Sequence, residues 1–246
     1  MNSISANLNL MIKACEKASK VLIRDFGELE KLQVSKKGPH DFVTNSDIKT
    51  EKIIIDELNK GRPNYSIISE ENGIENNKDS KNTWVIDPID GTVNFLHGLP
   101  HFAISIALKT NDEIISGLIF DPIKNEMFYA EKNNGAYFNN HRIRVSKKND
   151  INECLFASGN KVTEKVDLTI RKTGSAALDM AYVAAGRFDG FFQNSLNLWD
   201  IAAGIILVKE AGGIMNDINL SEYKNLNVIA SSSNIEAKLT KKLINF

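Results

Sequence analysis

The sequence predicts a layered α/β fold on three observations. An apolar stripe at helical spacing opens the chain, short segments rich in Ile, Phe and Val fill its middle, and strands alternate with helices beyond about residue 149. Leu8, Met11, Ile12, Cys15, Ala18 and Leu22 recur at three- and four-residue steps, which predicts a helix ending near Phe26-Gly27. The polar segment Ser35-Lys36-Lys37-Gly38-Pro39 reads as a loop. A second helix is predicted from about Asp47 through Leu58, broken by Asn59 to Pro63. Ser66-Ser69, Trp84-Ile86, Ala103-Leu108, Ile114-Phe120 and Glu126-Ala130 then read as a meandering antiparallel sheet. Further on come Cys154-Ala157, Ser175-Ala185, Gly190-Gln193, Trp199-Ala211, Asn227-Ala230 and a last helix from Asn234, with Gly212-Gly213 stopping the helix that Trp199-Asp200 begins.

With 246 residues and 42% hydrophobic content, the chain can bury a substantial core. Its formal net charge of -1 excludes the broad positive field that nucleic-acid binding needs. Cys15 and Cys154 stand apart, each within an apolar pattern, so both read as reduced core thiols. Asn, Lys and Glu interrupt the first residues before an apolar signal region forms, and no apolar run spans a bilayer. A soluble, cytoplasmic protein without a membrane partner is expected.

The chemistry concentrates where apolar strands end in acids. Trp84-Val85-Ile86 runs into Asp87-Pro88-Ile89-Asp90-Gly91-Thr92, whose two carboxylates can converge on one point and would repel without a cation between them. Taken alone, Asp-Pro-x-Asp-Gly also reads as a plain surface turn. Glu70-Glu71 closes Ser66-Ser69 and equally reads as a solvated loop. Asp200 follows Trp199 before an Ala-rich helix and equally reads as an N-cap, worth ~1 kcal/mol. Jointly the three look like one site. Oxygen ligands without a histidine or cysteine cluster favour Mg²⁺ or Mn²⁺ over zinc, and His40, His97, His101 and His141 show no metal spacing.

Trp84-to-Phe95 and Trp199-to-Gly213 resemble the two signature segments of the inositol monophosphatase family. The resemblance continues through Asp41-to-Asp47, Ser69-to-Gly73 and Gly174-to-Ala177, and so covers nearly the whole chain in order. It implies a sugar-phosphatase-type αβαβα sandwich with an antiparallel N-terminal sheet and a smaller mixed C-terminal sheet. Residues 1–148 would carry most metal ligands, and 149–246 would contribute Asp200 and substrate contacts. Carried onto matching positions, Glu70, Asp87, the Ile89 carbonyl, Asp90 and Asp200 would hold two or three Mg²⁺ ions, with Mn²⁺ as a substitute. Glu70 and Thr92 would orient a water for in-line attack on phosphorus, Asp47 would position Thr92, and Lys37 would help place water, although an exposed loop lysine reads equally well. Asp90, Gly91, Thr92, Gly174, Ala176, Gln193 and Asp200 would contact substrate, with phosphate docking at the 91 and 92 amides.

The resemblance thus implies a phosphoric monoester hydrolase acting on inositol 1-phosphate or a related small polyol phosphate, inhibited by Li⁺. Histidinol phosphate and fructose 1,6-bisphosphate are the alternative esters. Around Thr173-to-Asp179 and Ala184-to-Arg187 the chain also looks like bacterial members that join an RNA polymerase or Nus-type antitermination complex. Arg171, Lys172 and Arg187 are the residues for that role, against solvated surface charge as the plainer reading. Two departures stand out. Gln193 occupies the position of a glutamate that accepts from ring hydroxyls, and the stretch between Ser158 and Gly174 is shorter than in most relatives and is expected to lack a full helix, which bears on the expected homodimer.

Overall fold

The computed structural model describes residues 4–31, 34–38, 41–160 and 166–243, with side chains described for these outside 31–43. Helix α1 (Ala6–Phe26) starts at Ser5, whose hydroxyl accepts from the Leu8 N–H, and it buries Leu8, Met11, Cys15, Ala18 and Leu22 as the stripe predicts. Strands β1 (Val34–Gly38) and β2 (Asp41–Thr44) then pair antiparallel. The segment read as a lysine loop is therefore a strand through Gly38. Its sequence has no apolar alternation, so partner pairing rather than pattern defines it. Helix α2 (Asn45–Gly61) begins earlier than Asp47 because Thr44 and Asp47 form a capping box. The Thr44 hydroxyl accepts from the Ser46 and Asp47 N–H groups, and Asp47 accepts from the Thr44 N–H.

Next come β3 (Tyr65–Ser69), β4 (Gly73–Glu75), β5 (Asp79–Asp90), the short α3 (Thr92–Leu96), β6 (Ala103–Thr110), β7 (Glu113–Asp121), β8 (Glu126–Glu131), β9 (Gly135–Phe138) and β10 (His141–Arg142). They make an eight-stranded sheet in the order β10-β9-β8-β7-β6-β5-β3-β4. The expected antiparallel meander holds from β5 to β10 and fails at one pair, because β3 and β5 run parallel, with Ile67 opposite Trp84 and Ser69 opposite Ile86. The short hairpin strand β4 takes the outer edge of β3, so β5 enters on the other side in the same direction. Parallel pairing puts the acidic ends of both strands at one end of the sheet; antiparallel pairing would have sent them to opposite ends.

The second half supplies β11 (Leu155–Ala157), β12 (Thr169–Arg171), α4 (Ala176–Ala184), β13 (Gly190–Leu196), α5 (Leu198–Glu210), β14 (Gly213–Met215), β15 (Leu226–Ser232) and α6 (Glu236–Leu243). Its sheet is mixed, in the order β12-β11-β13-β15-β14, with β11 parallel to both neighbours. As expected, the described residues between 158 and 174 contain no helix; β12 stands there instead. Helices α1 and α2 cover one face of the large sheet, α4 and α5 lie between the two sheets, and α6 backs the small one, which is the αβαβα layering expected. Alternate residues divide accordingly. Trp84, Ile86, Ile104 and Ile106 pack towards α1 and α2, while Val85, Ala103 and Ala107 pack towards α4 and α5. Both cysteines are buried and unpaired, and no described helix is long and apolar enough to cross a membrane.

Helix α5 reaches the sheet closely at Gly117 of β7. A Cβ there would lie 2.6 Å from Ile206 Cγ2 and 2.8 Å from the Ala203 Cα, the latter a backbone atom that cannot swing away. Gly117→Ala should therefore push α5 off the sheet and destabilise the protein by roughly 1–3 kcal/mol. A urea-unfolding midpoint equal to that of the unsubstituted protein would refute this close packing.

Candidate active site

Strand β5 ends in a kink that the sequence encodes as Asp-Pro-Ile-Asp. Asp87 faces Ser105 and Asp90 faces Ala103 on β6, so one extra residue is accommodated between them as a bulge. Asp87 is 2% exposed, and its Oδ1 accepts from the Ile89 N–H at 3.0 Å. Its neighbours are the other acids: a hydrogen bond joins it to Glu70, and the charges of Asp90 and Asp200 act on it. Glu70 arrives through the parallel pairing, its N–H continuing the ladder to the Ile86 carbonyl at 3.3 Å.

Asp200 arrives from α5. Asn197 caps that helix, and Asp200 completes a capping box by accepting from the Asn197 N–H at 2.8 Å. The N-cap is thus Asn197 and not Asp200, which stands at the third helical position, and the charge of the same Asp200 acts on Asp87. Ser105, opposite Asp87, reaches the Trp199 carbonyl at 3.4 Å and ties the sheet to this helix start. Asp90 plays a similar double part. Its Oδ2 accepts from the Ser175 hydroxyl and from the Ala177 N–H at 2.9 Å, with the Ala176 and Leu178 amides also contributing, so this carboxylate sits on the N-terminus of α4. Gly174 and Ala176 are thereby brought beside Asp90. Gly91 and Gly174 both adopt left-handed backbone angles, φ +99° and +89°, and a Cβ on Gly91 would stand 3.2 Å from the Gly174 carbonyl oxygen.

Thr92 opens α3 next to these acids. Its Oγ1 lies 3.0 Å from the Ile89 carbonyl oxygen and 3.3 Å from Asp47 Oδ1, so its single proton is shared between two acceptors. Asp47 is itself fixed, because its Oδ2 accepts from the Thr44 N–H at 2.7 Å and the Thr44 hydroxyl at 2.5 Å. The predicted contact between Asp47 and Thr92 is therefore present.

Electrostatics follow from this crowding. Burial, then the charges of Glu70, Asp90 and Asp200, push the Asp87 carboxyl well above its ordinary value. Burial raises Asp90 to about 6 against its hydrogen bonds from Ser175 and the α4 amides. Burial and Asp90 raise Asp200 to about 7, and burial raises Asp47 to about 6. Among the described residues no three histidine, cysteine or acidic side chains form a ready-made metal cage. The acids instead meet pairwise around Asp87, and carboxylates are hard oxygen donors of the kind that suits Mg²⁺ or Mn²⁺.

Other sequence expectations fare differently. The side chain of Lys37 and residues Pro39 and His40 lie outside the described residues. No described hydrogen bond connects Gln193 with the acids; its Oε1 accepts from the Gly159 N–H at 2.8 Å. Arg187 lies at the surface but is paired: its guanidinium bonds both oxygens of Glu126 at 2.7 and 2.8 Å and stacks 4.8 Å from the ring centres of Phe138 and Tyr182. Sequence reading missed Ser175, Asn94, Ser105 and Glu51. Glu51 carried a usable signal, since it lies with Asp47, Ile54 and Leu58 on the buried stripe of α2, where a solvated glutamate does not belong.

Asn94 links the two halves of the site. Its Nδ2 donates to the His101 carbonyl at 2.8 Å and to the Thr173 carbonyl at 2.9 Å. Asn94→Asp replaces that donor with an oxygen facing two carbonyls, and should lower stability by on the order of 2 kcal/mol and speed amide exchange across 173–178. Unchanged exchange in that segment would show that Asn94 does not hold the turn.

Comparison with known proteins identifies the family. Residues 7–245 match the model of the inositol monophosphatase family. An inositol-1-monophosphatase of Mesorhizobium japonicum is 42% identical over 96% of each chain. The Nus factor SuhB of Escherichia coli K12 is 42% identical over 85% of this chain and 84% of its own. The crystal structure of the extragenic suppressor protein suhB from Bartonella henselae superposes with a TM-score of 0.90 at 44% identity, covering 97% of this chain and 98% of the other. The chain belongs to the inositol monophosphatase family.

Proposed function

We propose that the protein is a magnesium-dependent phosphatase that hydrolyses inositol 1-phosphate or a related small polyol phosphate. The observation that carries this reading is the meeting of Glu70, Asp90 and Asp200 at Asp87, beside a Thr92 that Asp47 holds. Glu70, Asp87, Asp90, Asp200 and the Ile89 carbonyl would hold two or three Mg²⁺ ions, which when bound supply charge neutralisation for the phosphate and activation of water. The Thr92 proton is engaged by Ile89 and Asp47, so the Thr92 oxygen can only accept, and it orients a water by taking one of its hydrogens. Glu70 takes the proton that this water gives up on attacking phosphorus, the P–O bond to the alcohol breaks in the same displacement, and the departing alkoxide takes a proton from solvent water. The Gly91 and Thr92 amides offer donors to the phosphate oxygens, and the close passage of Gly91 and Gly174 keeps side chains out of that space. No nucleophilic side chain is needed.

Substrate choice turns on Gln193. Gly159 holds the amide by donating to its oxygen, which keeps one lone pair beside the NH₂ donor. A Cβ at residue 159 would fall 2.3 Å from that oxygen, so glycine is what lets the amide lie there. An amide at that point offers a ring hydroxyl a donor as well as a neutral acceptor, without the charge-assisted acceptance that a glutamate would give. A cleft of about 630 Å³ beside Glu70, lined also by Trp199, Tyr223 and Lys224, has room for the alcohol part. By family resemblance the proposal extends to Li⁺ inhibition and to a cytoplasmic homodimer.

A second reading, association with a transcription complex, is favoured by the relatives named Nus factor SuhB. With Arg187 engaged by Glu126, the exposed Arg171 and Lys172 at the β12 edge of the small sheet are the charges left for it. Phosphate release from inositol 1-phosphate, histidinol phosphate and fructose 1,6-bisphosphate separates these readings. Release should require Mg²⁺, vanish with chelator and fall by about 10³-fold in Asp90→Asn. Undiminished release by that variant would refute the catalytic reading, and absence of release from every ester would leave the binding role in possession.

A further inference from the structure

One buried acid has no part in the chemistry above. Glu51 is 0% exposed, and no lysine or arginine pairs with it among the described residues. It accepts three hydrogen bonds: from the Ser69 hydroxyl at 3.0 Å, the Glu71 N–H at 2.9 Å and the Asn72 N–H at 2.9 Å. These donors bracket Glu70 on both sides. The turn that carries Glu70 out of β3 is therefore clamped by a single carboxylate.

Glu51 lies one helical turn beyond Asp47 on the same face of α2, about 6 Å along its axis. Asp47 reaches Thr92 and Glu51 reaches the Glu70 turn. We propose that Glu51 is a positioning residue: through Ser69, Glu71 and Asn72 it holds the Glu70 carboxylate against Asp87, so that one rigid helix sets the spacing between the two groups that orient the attacking water. This inference rests on the metal-centre reading of Glu70 and Asp87. Size alone does not demand the acid, since glutamine has nearly the same volume. Glutamine has only one acceptor oxygen, however, and its NH₂ would face one of the three donors.

Manganese binding, followed by titration calorimetry well below the unfolding temperature, tests the role. Glu51→Gln should weaken Mn²⁺ binding by about 10- to 100-fold, the usual effect of removing a group that orients a metal ligand. Ser69→Ala, which deletes one of the three bonds, should weaken it by a few-fold. The matched control is Glu210→Gln. Glu210 clamps the β8–β9 turn in the same way, through the Asn133 N–H at 2.8 Å and the Gly135 N–H at 2.7 Å, and its loss should leave Mn²⁺ affinity unchanged whatever it does to stability. Equal weakening in the Glu210 variant, or unaltered affinity in both the Glu51 and Ser69 variants while the unsubstituted protein binds, would overturn the role of Glu51. Failure of the unsubstituted protein to bind Mn²⁺ would overturn the metal-centre reading itself. If circular dichroism shows Glu51→Gln unfolded, the Ser69→Ala affinity decides.

Discussion

Repulsion between carboxylates in a desolvated pocket governs this molecule. Asp87 lies 2% exposed beside Glu70, with the charges of Asp90 and Asp200 acting on it. Buried acids with raised pKa values destabilise the fold as pH climbs from their unfolded values near 4 through about 6 to 7, because the unfolded chain ionises more readily. Close to neutrality the cluster therefore works against folding unless positive charge joins it. The surrounding framework resists that repulsion with hydrogen bonds, the α4 N-terminus on Asp90 and the Asn197 amide on Asp200. On the proposed function a divalent cation would remove the repulsion at its source, so that structure and chemistry would depend on the same four side chains.

Three different backbone devices deliver those side chains. Parallel pairing of β3 with β5 brings Glu70 to Asp87, a bulge turns Asp90 out of the β5 ladder, and the capping box of α5 presents Asp200. Helix α2 adds a fourth by anchoring Thr92 and the Glu70 turn from one face. Each device is local, and each depends on the packing behind it. The tight passage of α5 over Gly117 and the Asn94 bridge between His101 and Thr173 keep elements from distant parts of the chain in register. Precision at the site is thus a property of the layers, with side-chain choice adding the charge.

Much of this was legible from residue order. Asp87, Asp90, Glu70 and Asp200 each end an apolar strand or begin an apolar helix, the periodicity gave the helices and most strands, and the αβαβα layering came from the family resemblance. The direction of β5 against β3 was not legible, because a four-residue apolar run reads alike in either direction. The strand at Val34–Gly38 was hidden by its lysines and serine, whose pattern carries no alternation. Glu51, on the buried stripe of α2, was not singled out from the sequence. Gln193 was noticed as a change of residue, but the consequence lay in Gly159, 34 positions earlier, which donates to its oxygen. Interactions that join distant segments through backbone amides leave little trace in sequence spacing.

Anomalous diffraction from crystals equilibrated with Mn²⁺ examines the central claim most directly, because it locates the ion without reference to activity. Difference peaks are expected in the space bounded by Glu70, Asp87, Asp90 and the Ile89 carbonyl, with Asp200 at its edge. An empty map there at saturating Mn²⁺, or peaks only on other surfaces of the protein, would contradict it.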